Sequence, residues 1–269
     1  MIQINEQACI GCGACVRDCF PGTIGMEEGK ARLLEGRCIS CGHCIAICPV
    51  NAVRITEYDM DDVMELGEQN ILPEDFLNFV KSRRSIRHYK NQPVDPALIH
   101  RMLEAGRFTA TGGNRQELSY VVITERMEEF RRLVIEGLAD IAPRLLAAED
   151  TTQVMRDYAG RWLKMAEQYR QNPAAKDSVF LGAPVVILVM GNGPVDAGMA
   201  VSNMELMAHA SGLGALYSGF ITWGADHPAV REFLGIPAGK TIRMTLLVGH
   251  PDVKYKRNVP RKAQQVTWL

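Results

Sequence analysis

Apolar positions along the chain change their spacing near residue 70. Before it there are only short strand-like runs, Ile2-Gln3-Ile4 and Ala31-Arg32-Leu33-Leu34, each ahead of a cysteine-rich segment. From Pro73 the period becomes helical: Phe76, Leu77, Phe79 and Val80 recur at the spacing of one helix face, and Pro73 and Glu74 suit a first turn. Residues 96–106 repeat the pattern with Leu98, Ile99, Met102 and Leu103 and stop at a glycine. Residues 142–169 are predicted to be long and mostly helical, and residues 195–211 to form a helix ending near Gly212. The β-branched run 120–124, the apolar run 183–190 and the run 241–248 are predicted strands. Helices outnumbering a few strands argue an α+β class.

Between Thr56 and Pro73 the pattern is lost and the chain turns acidic, with Glu57, Asp59, Asp61, Asp62, Glu65 and Glu68 beside Gly67 and Asn70. Such a stretch reads as a linker or a short surface helix. The expected division is a small module over 1–58, a linker over 59–72 and a larger domain over 73–269.

The candidate chemistry of the small module is in its cysteines. All eight in the chain lie within residues 9–48, and Cys9, Cys12, Cys15 and Cys19 are followed 29 residues later by Cys38, Cys41, Cys44 and Cys48. Both runs read C-x2-C-x2-C-x3-C, the two-cluster bacterial ferredoxin spacing, in which the fourth cysteine of each run ligates the other [4Fe-4S] cube. Cluster I is then expected on Cys9, Cys12, Cys15 and Cys48, and cluster II on Cys38, Cys41, Cys44 and Cys19. Zinc sites space their ligand pairs over longer loops, and a disulfide scaffold would bring a secretory segment, which does not precede Cys9. Gly11, Gly13 and Gly42 suit close wrapping of a cube. One departure stands out: the first run ends Cys19-Phe20-Pro21, whereas the second ends Cys48-Pro49. The repeat implies a pseudo-twofold pair of small hairpins, stabilised largely by the clusters themselves.

A net charge of −1 gives no reason to expect a nucleic acid or membrane surface as partner. The longest purely apolar stretch, from Val185 to Met190, is far too short for a membrane span. Oxygen-sensitive clusters make a reducing cytoplasm the expected location.

In the larger domain the first chemical signal is Arg83-Arg84-Ser85-Ile86-Arg87. Three guanidinium groups and a hydroxyl make a clamp for phosphate or carbonyl oxygens, although a solvated basic helix end would look the same in isolation. Its sequel is Thr111-Gly112-Gly113-Asn114-Arg115-Gln116, then Gly212-Leu213-Gly214-Ala215 leading to Tyr217-Ser218-Gly219, and a basic tail. This order resembles the FMN-dependent nitroreductase family from about Pro73 to the C-terminus. With its front module the chain resembles ferredoxin-fused nitroreductases.

The resemblance implies a ferredoxin-like two-cluster module followed by a central, antiparallel-rich sheet surrounded by helices. It implies FMN contacts by Arg83, Arg84, Ser85 and Arg87, by the amides of Asn114 and Gln116, and by Tyr217, Ser218 and Gly219. Lys256, Arg257 and Arg261 are alternative holders of the phosphate. Where the family usually has Pro-Trp after that glutamine, Glu117-Leu118 stands here. The resemblance further implies a homodimer with flavins at the subunit interface, for which residues 142–169 are a candidate part. Phe108, Tyr217 and Trp223 are candidates for stacking on substrate.

No catalytic side chain is expected, because flavin N5 carries the chemistry and the protein supplies binding, orientation and field. His43, His88, His100, His209, His227 and His250 read as structural or solvated. Gly191-Asn192-Gly193 is too sparse for a dinucleotide fingerprint. The expected function is electron passage from an external low-potential donor, a ferredoxin or similar, through the clusters to FMN. From there electrons reach a small acceptor: a nitroaromatic, quinone, activated alkene or halogenated aromatic. The alternatives are an electron-transfer module serving a protein partner without a small substrate of its own, and a flavin-consuming or flavin-sensing protein on the same fold.

Overall fold

The computed structural model describes residues 2–68, 70–175 and 177–269. Gln69, inside the expected linker, lies outside the described residues. Two compact units emerge: residues 1–70 with the short segment Thr111–Arg115, and Ile71–Ala110 with Gln116–Leu269.

The first unit runs β1 (Ile2–Ile4), α1 (Ala14–Asp18), β2 (Ile24–Glu27), β3 (Lys30–Leu33), α2 (His43–Ala46) and β4 (Val53–Ile55). The two halves exchange ends. Strand β1, which opens the first repeat, pairs antiparallel with β4, which closes the second; β2 pairs with β3 in the same way. The core is small: Ile2, Ile24, Ala31, Val53 and Ile55 pack around Cys15 and Cys44. Gly11 illustrates how tightly the loops are drawn in. Its φ is +70°, and a Cβ there would lie 2.2 Å from the carbonyl oxygen of Gly29. The acidic stretch that follows holds one 3-10 turn, Met60–Asp62, capped by the Asp59 side chain accepting from Asp61 N at 3.0 Å.

The second unit contains α3 (Pro73–Ser82), α4 (Pro96–Arg107), β5 (Ser119–Ile123), α5 (Met127–Ala147), α6 (Gln153–Gln171), β6 (Val185–Met190), α7 (Pro194–Ala210), β7 (Gly214–Tyr217), α8 (Gly219–Ala225), α9 (Pro228–Phe233) and β8 (Ile242–Gly249). The four strands form one antiparallel sheet in the order β5-β6-β8-β7. Strand β6 is buried along its whole length. Its side chains alternate: Val185, Ile187 and Val189 join Ile99 and Met102 of α4 and Val201 and Met204 of α7. Val186, Leu188 and Met190 join Val134 and Leu138 of α5, Trp162 of α6 and Ile221 of α8. A strand covered on both faces has no polar side to show, so it reads as a continuous apolar run.

One expected helix is revised. Residues 142–169 span the end of α5, a break and most of α6. The break is built into the sequence: Thr152 caps α6 by accepting from Met155 N at 3.4 Å. Arg156 then donates to the carbonyls of Leu146 (2.5 Å), Ala148 (2.7 Å) and Thr151 (3.3 Å), which closes the turn on the C-terminal end of α5. The short elements β7, α8 and α9 have no counterpart in the sequence prediction, being too brief to show a period. Among the described residues no helix is long and apolar enough to cross a membrane.

Candidate functional site

In the first unit the four cysteines expected to hold cluster I face a common cavity. Cys9, Cys12, Cys15 and Cys48 line one cavity, with Ile4, Ala31 and Val53 behind them. Among the described residues no three His, Cys, Asp or Glu side chains converge as ligands of a single ion. Four thiolates spread around a cavity fit a cube, which takes one thiolate on each iron.

Backbone and side-chain donors surround the sulfurs. Ser40 N donates to Cys38 Sγ and Ala52 N to Cys48 Sγ, both at 3.3 Å, and Thr23 Oγ1 lies 3.5 Å from Cys19 Sγ. Backbone N–H groups near Ala31 and Gly11 hold the Cys9 thiol below its ordinary pKa. Burial raises Cys19, but the Thr23 hydroxyl and nearby backbone donors outweigh it and leave Cys19 lowered. Burial, then the neighbouring Cys41, push the Cys44 thiol up to about 11. Coordination must therefore expel its proton, so cluster assembly is a proton-releasing step. His43 Nδ1 lies 3.2 Å from Asp18 Oδ2, on the outside of the two cysteine loops.

Asn114 belongs to this unit. Its amide nitrogen donates to the carbonyls of Ile39 (3.1 Å) and Ser40 (2.9 Å), between Cys38 and Cys41. The segment is wound tightly, with Gly113 at φ +59° and Asn114 at +53°; the next residue but one, Gln116, sits at +46° and is exposed.

In the second unit, two of the predicted flavin segments meet. Ser85 forms a parallel bridge with Ala215, and Ile86 N donates to Ala215 O at 3.0 Å, so the arginine-rich segment lies along the free edge of β7. Gly214 makes this approach possible, because a Cβ there would come within 2.4 Å of Ile86 Cγ1. The adjoining Tyr217-Ser218-Gly219 turn is therefore held beside the arginines. Within it Ser218 is buried and serves as N-cap of α8, its Oγ accepting from Ile221 N at 3.3 Å.

The arginines have different surroundings. Arg83 donates to Glu205 Oε1 of α7 at 2.7 Å, and that carboxylate is only 7% exposed. Burial first, then the Glu205 charge and hydrogen bond, raise the Tyr217 hydroxyl well above its ordinary pKa, so it stays protonated and donates to Glu205. Arg84 is half-buried, and its side chain makes no hydrogen bond or ion pair among the described residues. Arg87 is exposed. A half-buried guanidinium with open donors next to a backbone edge fits a phosphate or a flavin carbonyl. The basic tail starts beside the same segment, since Lys90 N donates to His250 O and Asp252 N to His88 O. Lys256, Arg257 and Arg261 follow in exposed coil.

Other candidates have structural surroundings. Phe108 is 70% exposed beneath the Arg107 guanidinium, and Trp223 packs edge-on against the buried Trp162. His209 bonds Ser82 Oγ at 2.8 Å, and His227 Nε2 lies 3.3 Å from Asp140. Burial and then Arg83 lower the His209 pKa. The Gly191-Asn192-Gly193 turn is occupied by Arg243, which donates to the Gly191 and Asn192 carbonyls at 2.9 Å. Sequence reasoning missed Glu205, whose signal was an acidic residue within the otherwise apolar stretch Met204 to Ala208.

Residues 80–250 match the Nitroreductase family, and residues 1–49 match the 4Fe-4S dicluster domain. The NADPH-flavin oxidoreductase of Vibrio harveyi is 24% identical over 176 residues, and the match spans 65% of this chain and 65% of the length of that relative. An iodotyrosine deiodinase of Daphnia pulex is 21% identical over 233 residues, or 74% of this chain and 72% of the relative. A nitroreductase with bound FMN from Bacteroides fragilis aligns with a TM-score of 0.54 at 19% identity, over 72% of this chain and 97% of its own. A BluB-like flavoprotein from Clostridium difficile aligns with a TM-score of 0.54 at 22% identity, over 71% of this chain and 99% of its own. These structural likenesses speak to the fold, which is the helix-covered antiparallel sheet described above. The family match covers most of the chain and contains both segments that meet at β7: the chain belongs to the nitroreductase family, and its family domain is preceded by a segment matching the 4Fe-4S dicluster domain.

Proposed function

We propose that the protein is an FMN-dependent oxidoreductase fed by its own iron–sulfur relay. The observation that carries the flavin half is the pairing of Ser85 with Ala215, which gathers Arg84, Arg87 and the Tyr217–Gly219 turn around one backbone edge, with Arg84 open to an anion. FMN supplies the two-electron chemistry when bound. Arg84 and Arg87 are assigned to its phosphate and pyrimidine oxygens, where cationic donors stabilise the reduced, more negative cofactor. Ser85, Gln116 and the Tyr217–Gly219 turn orient it. Lys256, Arg257 and Arg261 are the phosphate holders of the tail.

The relay half rests on residues 1–58, taken as the electron-entry domain, joined through 59–72 to the flavin domain of 73–269. Cys9, Cys12, Cys15 and Cys48 would hold one cube and Cys38, Cys41, Cys44 and Cys19 the other, which would supply one-electron transfer from a ferredoxin-type donor; two such electrons and a proton from solvent would reduce the flavin. A small electrophile, a nitroaromatic, quinone or activated alkene, then takes the electron pair. A homodimer fits the apolar face of α3, which has no buried residue and leaves Phe76 half-exposed. A reducing cytoplasm fits the clusters.

Protein purified anaerobically is expected to hold about eight iron and about eight sulfide per chain, as two full cubes require. Zinc in place of iron would remove the relay. After reduction by dithionite or ferredoxin, rapid mixing with a panel of the named acceptors should reoxidise the flavin with at least one class. Indifference to the whole panel would leave no substrate role for the FMN domain.

A further inference from the structure

The first unit repeats its backbone as well as its cysteines. A step of 29 residues takes Gly11 to Ser40, Gly13 to Gly42 and Gly22 to Asn51, and all six have positive φ, at 70° and 50°, 68° and 77°, 68° and 53°. The same step takes Cys19 to Cys48 and Thr23 to Ala52. Thr23 and Ala52 are each 2% exposed. Next to Cys48 the donor is the Ala52 backbone, at 3.3 Å, and the alanine methyl adds nothing. Next to Cys19 stands the Thr23 hydroxyl, at 3.5 Å from the sulfur. The fourth ligands of the two clusters thus sit in matching turns, in which Phe20-Pro21 stands against Pro49-Val50 on the chain and the buried neighbour of the sulfur differs by one hydroxyl.

An iron-bound thiolate carries no proton, so between Cys19 and Thr23 the hydroxyl must donate. A hydrogen bond to sulfur favours the reduced, more negative cluster and so raises its potential. Thr23 is buried, so water has little access to the donor side of that bond. We propose that Thr23 is a redox-tuning residue that raises the potential of the cluster held by Cys19, Cys38, Cys41 and Cys44, making two near-symmetric cubes unequal. The proposal rests on the two-cluster reading given above. The step it governs is a one-electron transfer from a reduced donor to that cluster; no covalent bond changes, and the proton stays on the Thr23 oxygen. The electron is thereby drawn to the cluster whose loop Asn114 holds.

The test is a potentiometric titration of the intact, cluster-loaded protein followed by EPR, in wild type, Thr23→Val and Thr23→Ser. Valine keeps the shape and removes the hydroxyl; serine keeps the hydroxyl. In Thr23→Val one of the two one-electron waves should fall by about tenfold in its reduction equilibrium, or 59 mV for a single electron. The other wave should stay in place, and Thr23→Ser should lie close to wild type. Two unmoved waves, two waves moving together, or a serine variant shifted as far as valine would overturn the assignment. Iron analysis separates this from the parent reading: a wild type loaded with one cube loses the two-cluster account itself.

Discussion

Deleting residues 1–58 is expected to leave a folded, FMN-binding protein that a ferredoxin-type donor no longer reduces. The second unit carries its own core on both faces of the β5-β6-β8-β7 sheet, drawn from Ile86 onward. Every residue assigned to the flavin follows Ser82. The deletion removes the acceptors of Asn114, a net loss of roughly 1 kcal/mol for each hydrogen bond, which a core of this size withstands. Donor-driven flavin reduction should fall to background, while turnover started by chemically reduced flavin persists. Cys48→Ser, which removes one thiolate of cluster I, should show the same pattern less completely. A truncated protein reduced by ferredoxin as fast as the whole chain would mean that the clusters are not the entrance.

Replacing Arg83 by alanine should have two separable effects. The guanidinium is paired with a carboxylate only 7% exposed, so its loss strands Glu205 in the interior. Removal of one partner of a buried pair costs about 3–5 kcal/mol; Arg83 keeps a quarter of its side chain in solvent, which favours a value near 3. Any direct contact with FMN adds a further loss of roughly 1.5–3 kcal/mol in cofactor affinity. The double replacement Arg83→Met with Glu205→Met removes the stranded charge and should recover most of the stability seen in urea unfolding of the apoprotein. It should not recover FMN affinity. Wild-type FMN affinity in Arg83→Ala would remove Arg83 from the cofactor contacts that the family resemblance implies and leave it as the counter-ion of Glu205.

The clusters were the most legible part of the chain because covalent spacing is local information. The fixed offsets point to Cys9, Cys12, Cys15 and Cys48, which line one cavity, and the exchange of ends between β1 and β4 and between β2 and β3 is the backbone form of the same repeat. Helices α3 and α4 were legible because each displays a helical period, strand β6 because it is an unbroken apolar run, and α7 because a long, mostly apolar stretch stops at Gly212. The break between α5 and α6 depends on Arg156 reaching back to three carbonyls, a contact that periodicity does not encode. The setting of Arg83 was hidden for a related reason. Its partner Glu205 lies 122 residues away, and only the fold brings the carboxylate under the arginine. Asn114 could be singled out as a polar loop residue, but its hold on the Ile39 and Ser40 carbonyls requires the folded first unit.

The direction of electron flow is tested most directly by rapid-freeze EPR and stopped-flow absorbance on the intact protein. Oxidised protein is mixed anaerobically with slightly more than two equivalents of reduced ferredoxin. The account predicts that a cluster signal rises first and then decays with the same rate constant at which flavin absorbance bleaches. Flavin bleaching that precedes any cluster signal, or proceeds while the clusters stay oxidised, would contradict it.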